Sequence, residues 1–295
     1  MTIELQNYPS EPGFTDAFLE VSDFLKRINQ RTITTLNFEW ARWEWMFSLP
    51  YLKEEYLERI GLWKDDGRLV ALATYETDID EAFICVDPEY DHLKPDAIQY
   101  VKGTFAKTHK IFIDDCDRPL QRAARQHGYR ATEDRQSAAR FEIADNLAYT
   151  LPDGFSVLSL AERLDLVAYS RVLWRGFDHQ GEPPLTEEQL RNVERNFRGP
   201  HVNLHHKIAV VAPNGEFAAF CGMWYQPDTD YALVEPVATD PRYRKMGLGR
   251  AVVLEGIRRC AMDGAKAAYV GSSQQFYYNI GFAPDSTASA WRPSP

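Results

Sequence analysis

The chain is poor in cysteine, and the four it has, Cys85, Cys116, Cys221 and Cys260, lie far apart with no C-x-x-C pair. In 295 residues that pattern argues against a disulfide framework and predicts reduced, buried thiols in a cytoplasmic protein. Long apolar runs are missing as well. A membrane span needs ~20 consecutive apolar residues, and no stretch approaches that length. The first ten residues are polar and acidic, without the basic start and apolar stretch of a signal peptide. Positive charge is in deficit: 33 Lys and Arg face 43 Asp and Glu, for a formal net charge of −10. Phosphate backbones would be repelled, so no nucleic-acid partner is expected, whereas a cationic small molecule fits the balance. A G-x-S-x-G elbow and a G-x-x-x-x-G-K-[ST] loop are both absent. His205 and His206, read as part of a strand from Leu204 to Val211, would point to opposite faces, so no metal is expected there.

Hydrophobic residues make up 44% and charged residues 26%, enough for two ordinary globular domains. The chain also repeats itself. Val86-Asp87-Pro88-Glu89-Tyr90 resembles Thr239-Asp240-Pro241-Arg242-Tyr243, and Gly128-Tyr129 resembles Gly281-Phe282, both pairs at a separation of 153 positions. Asp65-Asp66-Gly67 and Pro213-Asn214-Gly215 each sit between apolar runs as hairpin turns. Each half therefore reads as helices, an antiparallel meander, then strand, helix, strand and helix. In the second half strands are expected at about Glu216 to Tyr225, Tyr231 to Thr239 and Ala267 to Gly271. Val252, Val253, Leu254, Ile257 and Ala261 recur at helical spacing, predicting a helix from about Gly249 to Met262. Pro152-Asp153-Gly154 marks the boundary. The reading is α+β: two tandem domains, 1–148 and 152–295, each a mixed, mostly antiparallel sheet flanked by helices. Trp40, Trp43 and Phe47 share a helical face and read as core.

Arg244-Lys245-Met246-Gly247-Leu248-Gly249-Arg250 joins a strand to a helix. Such a junction exposes unpaired amides and the positive end of the helix dipole, which together bind anions. Two glycines lacking Cβ atoms admit a bulky diphosphate, and Arg244, Lys245 and Arg250 add charge.

The run from Val234 to Gly249, with Arg244, Gly247 and Gly249 meeting R-x-x-G-x-G, resembles the central motif of the GNAT superfamily of N-acyltransferases. Phe276-Tyr277-Tyr278-Asn279-Ile280-Gly281-Phe282 resembles that family's closing Y-x-x-x-G-F. The resemblance implies that the loop, through Arg244, Lys245, Met246, Gly247, Leu248, Gly249 and Arg250, holds the pyrophosphate of acetyl-CoA or another acyl-CoA. It implies that backbone near Val237 and Thr239 pairs with the pantetheine arm, and that Ser272 stands where relatives place an Asn on that arm. Acyl transfer to an amine needs a proton acceptor and a donor for the departing thiolate. Strand alternation sets Leu233, Glu235, Val237 and Thr239 on one face, so Glu235 is the candidate base. Tyr277, four residues before Gly281, is the candidate acid. Trp174, Phe177, Trp224 and Tyr225 are candidates for an acceptor pocket. The implied activity is acetyl transfer to a primary amine of a small cationic molecule by a monomer or homodimer. Alternatives are an acyl-CoA-binding sensor or scaffold, and a transferase for longer acyl chains or protein N-termini.

In the first copy Arg244 corresponds to Asp91, Gly247 to Lys94, Gly249 to Asp96, Glu235 to Ala82 and Tyr277 to Ala124. Carboxylates in a tight loop repel a diphosphate, so this copy is expected to be non-catalytic, with a structural role beside the substrate pocket.

Overall fold

The computed structural model describes residues 2–30, 38–144 and 147–294. In chain order the elements are β1 (Ile3–Asn7), α1 (Asp16–Ile28), α2 (Trp40–Ser48), β2 (Gly61–Asp65), β3 (Arg68–Thr74), β4 (Glu81–Val86), α3 (Lys94–Thr104), β5 (Lys110–Asp114), α4 (Arg118–Gln126) and β6 (Tyr129–Glu142). There follow β7 (Ser156–Ser159), α5 (Leu166–Gly176), α6 (Glu187–Arg195), β8 (Lys207–Val211), β9 (Phe217–Tyr225), β10 (Tyr231–Thr239), α7 (Leu248–Met262), β11 (Ala267–Val270), α8 (Gln275–Ile280) and β12 (Ala283–Pro293). Among the described residues no helix is long and apolar enough to cross a membrane.

Two compact units form. One comprises Met1–Ala138 with Gly271–Ser273 and Pro284–Pro295; the other comprises Ala139–Val270 with Gln274–Ala283. In the first unit the strand order is β1-β2-β3-β4-β5-β12, in the second β6-β11-β10-β9-β8-β7. The β4–β5 and β10–β11 pairs are parallel, and the meanders before them are antiparallel. Each sheet is thus mixed and mostly antiparallel, with helices beside it. The division differs from a contiguous break at 148/152. Ala288–Trp291 of β12 lies antiparallel on Ile111–Asp114 of β5, and Ala139–Glu142 of β6 lies on Ala267–Val270 of β11. Each half of the sequence gives its last strand to the other half's sheet. A strand's partner is set by non-local backbone pairing, which a repeat in sequence does not report.

In the first unit Trp40 and Trp43 are fully buried, and Phe18 stacks on Trp43 at 5.8 Å, so the expected core face of α2 is core. In the second unit β9 alternates between two layers. Ala219, Cys221, Met223 and Tyr225 face Val252, Val253 and Ile257 of α7, while Phe217 and Phe220 pack with Ala168, Tyr169 and Val172 of α5. At ~25 cal/mol per Å² of apolar surface removed from water, these two layers hold the sheet rigid between helices. The helix α7 begins one residue before expectation. The strand expected from Leu204 begins at Lys207, because Asn203 accepts the His205 amide at 3.0 Å and closes a 3-10 turn over Leu204–His206. His206 is consequently buried, its Nε2 2.7 Å from Asp263 Oδ2.

The repeat is real at the level of hydrogen bonds. Asp87 accepts the Glu89 amide at 3.2 Å, and Asp240 accepts the Arg242 amide at 2.9 Å. Each Asp-Pro pair caps a short 3-10 turn leading toward the central helix of its half.

Candidate active site

The β9–β10 ladder carries a register shift. Val234 pairs with Met223, but Val237 pairs with Cys221, so β10 inserts an extra residue at Glu235-Pro236. Gly222 makes room for it: a Cβ there would clash with the Glu235 carbonyl and come within 3.0 Å of Pro236 Cδ. The Trp224 indole N–H donates to the same carbonyl at 3.0 Å. The bulge overturns the simple alternation. Val234 and Val237 both pack toward α7, and Thr239 Oγ1 meets Gly249 of α7. Glu235 therefore does not share the face of Val237 and Thr239, and it is exposed. Parallel pairing with β11 ends at Leu233, so beyond it the β11-side edge of β10 has no strand alongside among the described residues.

Past β10, Lys245 (φ 63°) and Gly247 (φ 81°) adopt left-handed backbone before α7 begins. Glycine takes that conformation at no steric cost, and the space where its Cβ would stand is open to 4 Å. No side chain caps α7, so the amides of Leu248, Gly249 and Arg250 have no helical acceptor and point outward with the dipole. Lys245, Met246, Gly247 and Arg250 are exposed, while Leu248 and Gly249 are buried. The two glycines serve different ends. Gly249 is a packing residue, since a Cβ there would sit 3.0 Å from Thr239 Oγ1 and 3.2 Å from Phe276. Arg244, expected to add charge to the loop, donates from Nη2 to the Gly176 carbonyl at 2.9 Å and to Asp178 Oδ1 at 2.8 Å.

Tyr277 lies on α8, 7% exposed, with its ring edge-on to Phe276 and Phe282. Its hydroxyl makes no hydrogen bond to another described residue. Burial pushes the phenol's pKa up, and the Glu235 charge pushes it further. Burial likewise raises Tyr169 of α5, with Glu235 adding to the effect. The Glu235 carboxylate thus acts electrostatically on phenols from both helical layers.

Other expected residues separate. Tyr225 donates from its hydroxyl to the Asp263 carbonyl at 3.1 Å, in the α7 layer. Trp224, its neighbour in the strand, points the other way and packs under Lys207, whose Nζ stands 3.6 Å from the ring centroid. Trp174 donates its indole N–H to Gln180 at 3.2 Å, and Phe177 is 53% exposed. Ser272 falls in Gly271–Ser273, which clusters with the first unit. The sequence reading missed Lys207. Its signal was a lysine opening the apolar strand KIAVV, a place where a charge is buried only for a reason.

The counterpart in the first unit is closed. The β3–β4 register runs from Ala71↔Val86 to Thr74↔Phe83 without a shift. Phe83, at the position of Pro236, packs on Phe38 at 5.0 Å and under the Arg42 guanidinium at 4.3 Å. Lys94 has right-handed helical backbone where its counterpart Gly247 is left-handed. Pro95 removes an amide. Lys94 is buried and bonded to Asp91 at 2.7 Å and Asp117 at 2.8 Å. Ala82 and Ala124 are fully buried.

Residues 168–282 match the profile of the acetyltransferase (GNAT) family. No curated protein matches the chain in sequence. In structure it is similar over its whole length to a tandem GNAT protein from the clavulanic acid biosynthesis pathway, with 13% identity, all of both chains covered and a TM-score of 0.62. It is also similar to a GNAT-family acetyltransferase from Colwellia psychrerythraea, with 13% identity, both chains covered completely and a TM-score of 0.57. A GCN5-related N-acetyltransferase from Sphaerobacter thermophilus matches at 14% identity over 99% of this chain and 97% of that one, with a TM-score of 0.53. The chain has the tandem GNAT fold, and residues 168–282 form a domain of the acetyltransferase (GNAT) family.

Proposed function

We propose that this protein is an N-acetyltransferase that moves an acetyl group from acetyl-CoA directly to a primary amine of a small cationic molecule. The observation that carries this reading is the uncapped start of α7, reached through left-handed Lys245 and Gly247, beside a β10 edge left open beyond Leu233. The match of residues 168–282 to the GNAT family supports acyl-CoA use. The residues fit it. Outward amides at Leu248, Gly249 and Arg250 suit a diphosphate, with Lys245, Met246 and Gly247 forming the rim. The backbone of β10 from Val237 to Thr239 suits an extended amide-bearing arm, although the Thr239 carbonyl already accepts from Arg244 Nε at 3.3 Å.

The acyl-CoA supplies a thioester whose C–S bond breaks as the amine forms its N–C bond. Glu235, exposed at the bulge, takes a proton from the incoming ammonium or from water between them. Trp224 fixes the backbone from which that carboxylate projects. Tyr277 keeps its proton because burial and Glu235 oppose phenolate, and it donates to the departing sulfur. The overall net charge of −10 favours a cationic acceptor. The first unit lacks the bulge, the left-handed turn, the base and the acid, and it takes no part in the acyl transfer.

Thiol release from acetyl-CoA with a panel of polyamines, amino sugars and amino acid amines tests the reading. Turnover with at least one amine, lost in Glu235→Gln, is the expected result. Tight CoA binding without turnover across the panel would replace it with a sensor, and faster release from longer thioesters would change the acyl group.

A further inference from the structure

We propose that the first unit carries a binding site of its own for a small multivalent anion, a phosphorylated or polycarboxylated metabolite, between α4 and the end of β12. A cavity of about 450 Å³ opens there, lined by Arg125, Tyr129, Arg130, Trp291 and Ser294 among others. That volume is in the range of small-molecule pockets, ~300–1,000 Å³.

The charge inside it is out of keeping with the protein. In a chain with 43 acidic and 33 basic residues, Arg125 and Arg130 of the lining make no ion pair with any described residue. Three carboxylates of the same unit are engaged elsewhere: Asp117 by Lys94 at 2.8 Å, Asp115 by Arg135 at 2.9 Å and Asp134 by Lys110 at 3.0 Å. Arg125 is braced rather than neutralised, its guanidinium 5.1 Å from the centroid of the Trp291 ring. Trp291 is 3% exposed, and its indole N–H is buried without an acceptor, a donor left over where buried donors are normally paired. Tyr129 turns its hydroxyl away to His109 at 2.6 Å, so the basic groups dominate the polar lining.

The fold does not require these arginines. At the repeat separation, Arg122, Arg125 and Arg130 correspond to Gln275, Tyr278 and Ala283, none of them charged. The copy that lost the acyl-CoA loop has arginines on its last helix that the other copy lacks. Guanidinium groups pair bidentately with phosphate and carboxylate oxygens, and two flanking one cavity select a ligand with more than one negative group.

Calorimetric titration of the full chain with inorganic pyrophosphate, and separately with citrate, tests the site. Both are run in saturating CoA so that the α7 loop is blocked. At least one anion is expected to bind with a stoichiometry of one per chain, and the arm that binds tells phosphate from carboxylate recognition. The Arg125→Gln/Arg130→Gln variant is expected to weaken it at least tenfold, and Arg125→Lys/Arg130→Lys to retain part of the affinity. Both arginines are exposed, so the two variants should melt like the parent. Absence of binding in both arms, or binding unchanged in the glutamine variant, overturns the proposal.

Discussion

Arg244 Nη2 donates to Asp178 Oδ1 at 2.8 Å, tying the first residue of the α7 loop to the chain just past α5. The pair is exposed, 42% and 68% for the two side chains, so its stability contribution is at most ~1 kcal/mol. Asp178→Ala should therefore leave the melting temperature almost unchanged. It releases positive charge beside the loop, and KM for acetyl-CoA should fall by up to about fivefold, the equivalent of ~1 kcal/mol. Steady-state kinetics checks this, and a rise in KM would show that Arg244 works through Asp178 instead.

Tyr277→Phe should lower kcat by about 10²-fold, with little change in KM for acetyl-CoA. In the proposed acid role its protonated form is the active one, and burial raises its pKa from 10.0. The alkaline limb of the wild-type kcat profile should accordingly hold past about pH 10. A fall with the pKa of an ordinary phenol would remove the acid role.

Gly222 leaves no space for a methyl group against the Glu235 carbonyl. Gly222→Ala should flatten the bulge or displace β10, at about 1–3 kcal/mol in denaturant melts. Activity should fall further than stability alone accounts for, because Glu235 loses its seat.

Burial lowers the pKa of His206 from 6.5, and Asp263 opposes the shift without reversing it. The fold favours neutral imidazole, so the unfolded chain binds more protons as pH falls through about 6.5 and below. Stability contributed by the neutral ring is present above that range and lost beneath it. Melting temperature should decline from about pH 7 to about pH 5.5, less steeply in His206→Gln. Parallel slopes would assign the decline to other groups.

One CoA per chain is the expected calorimetric stoichiometry. Asp91→Arg with Lys94→Gly should keep it at one, since side-chain replacement restores neither the left-handed turn nor the amide missing at Pro95. A second equivalent would show that charge alone had closed the first copy.

The loop was legible because its chemistry is local. Gly247 reports a backbone conformation, Asp240-Pro241 a capped turn, and the spacing of Val252, Val253 and Ile257 a helix face, all within a few residues. Glu235 was legible as a residue but not as a direction. Alternation assumes an unbroken ladder, and the break at Glu235-Pro236 depends on Gly222 in another strand. Gly249 was read as room for a ligand when the space is taken by Thr239 and Phe276, which approach only after β10, α7 and α8 pack.

By itself the sequence determined the repeat, the order of elements, and the glycine-bearing turn before α7 with its replacement in the other copy, since each is written in neighbouring residues. Tertiary structure decided that β6 and β12 change sheets, that Arg244 faces Asp178, and that Lys207 lies over Trp224. Those outcomes rest on pairings between distant segments, where many partners satisfy the same local pattern and only packing selects one.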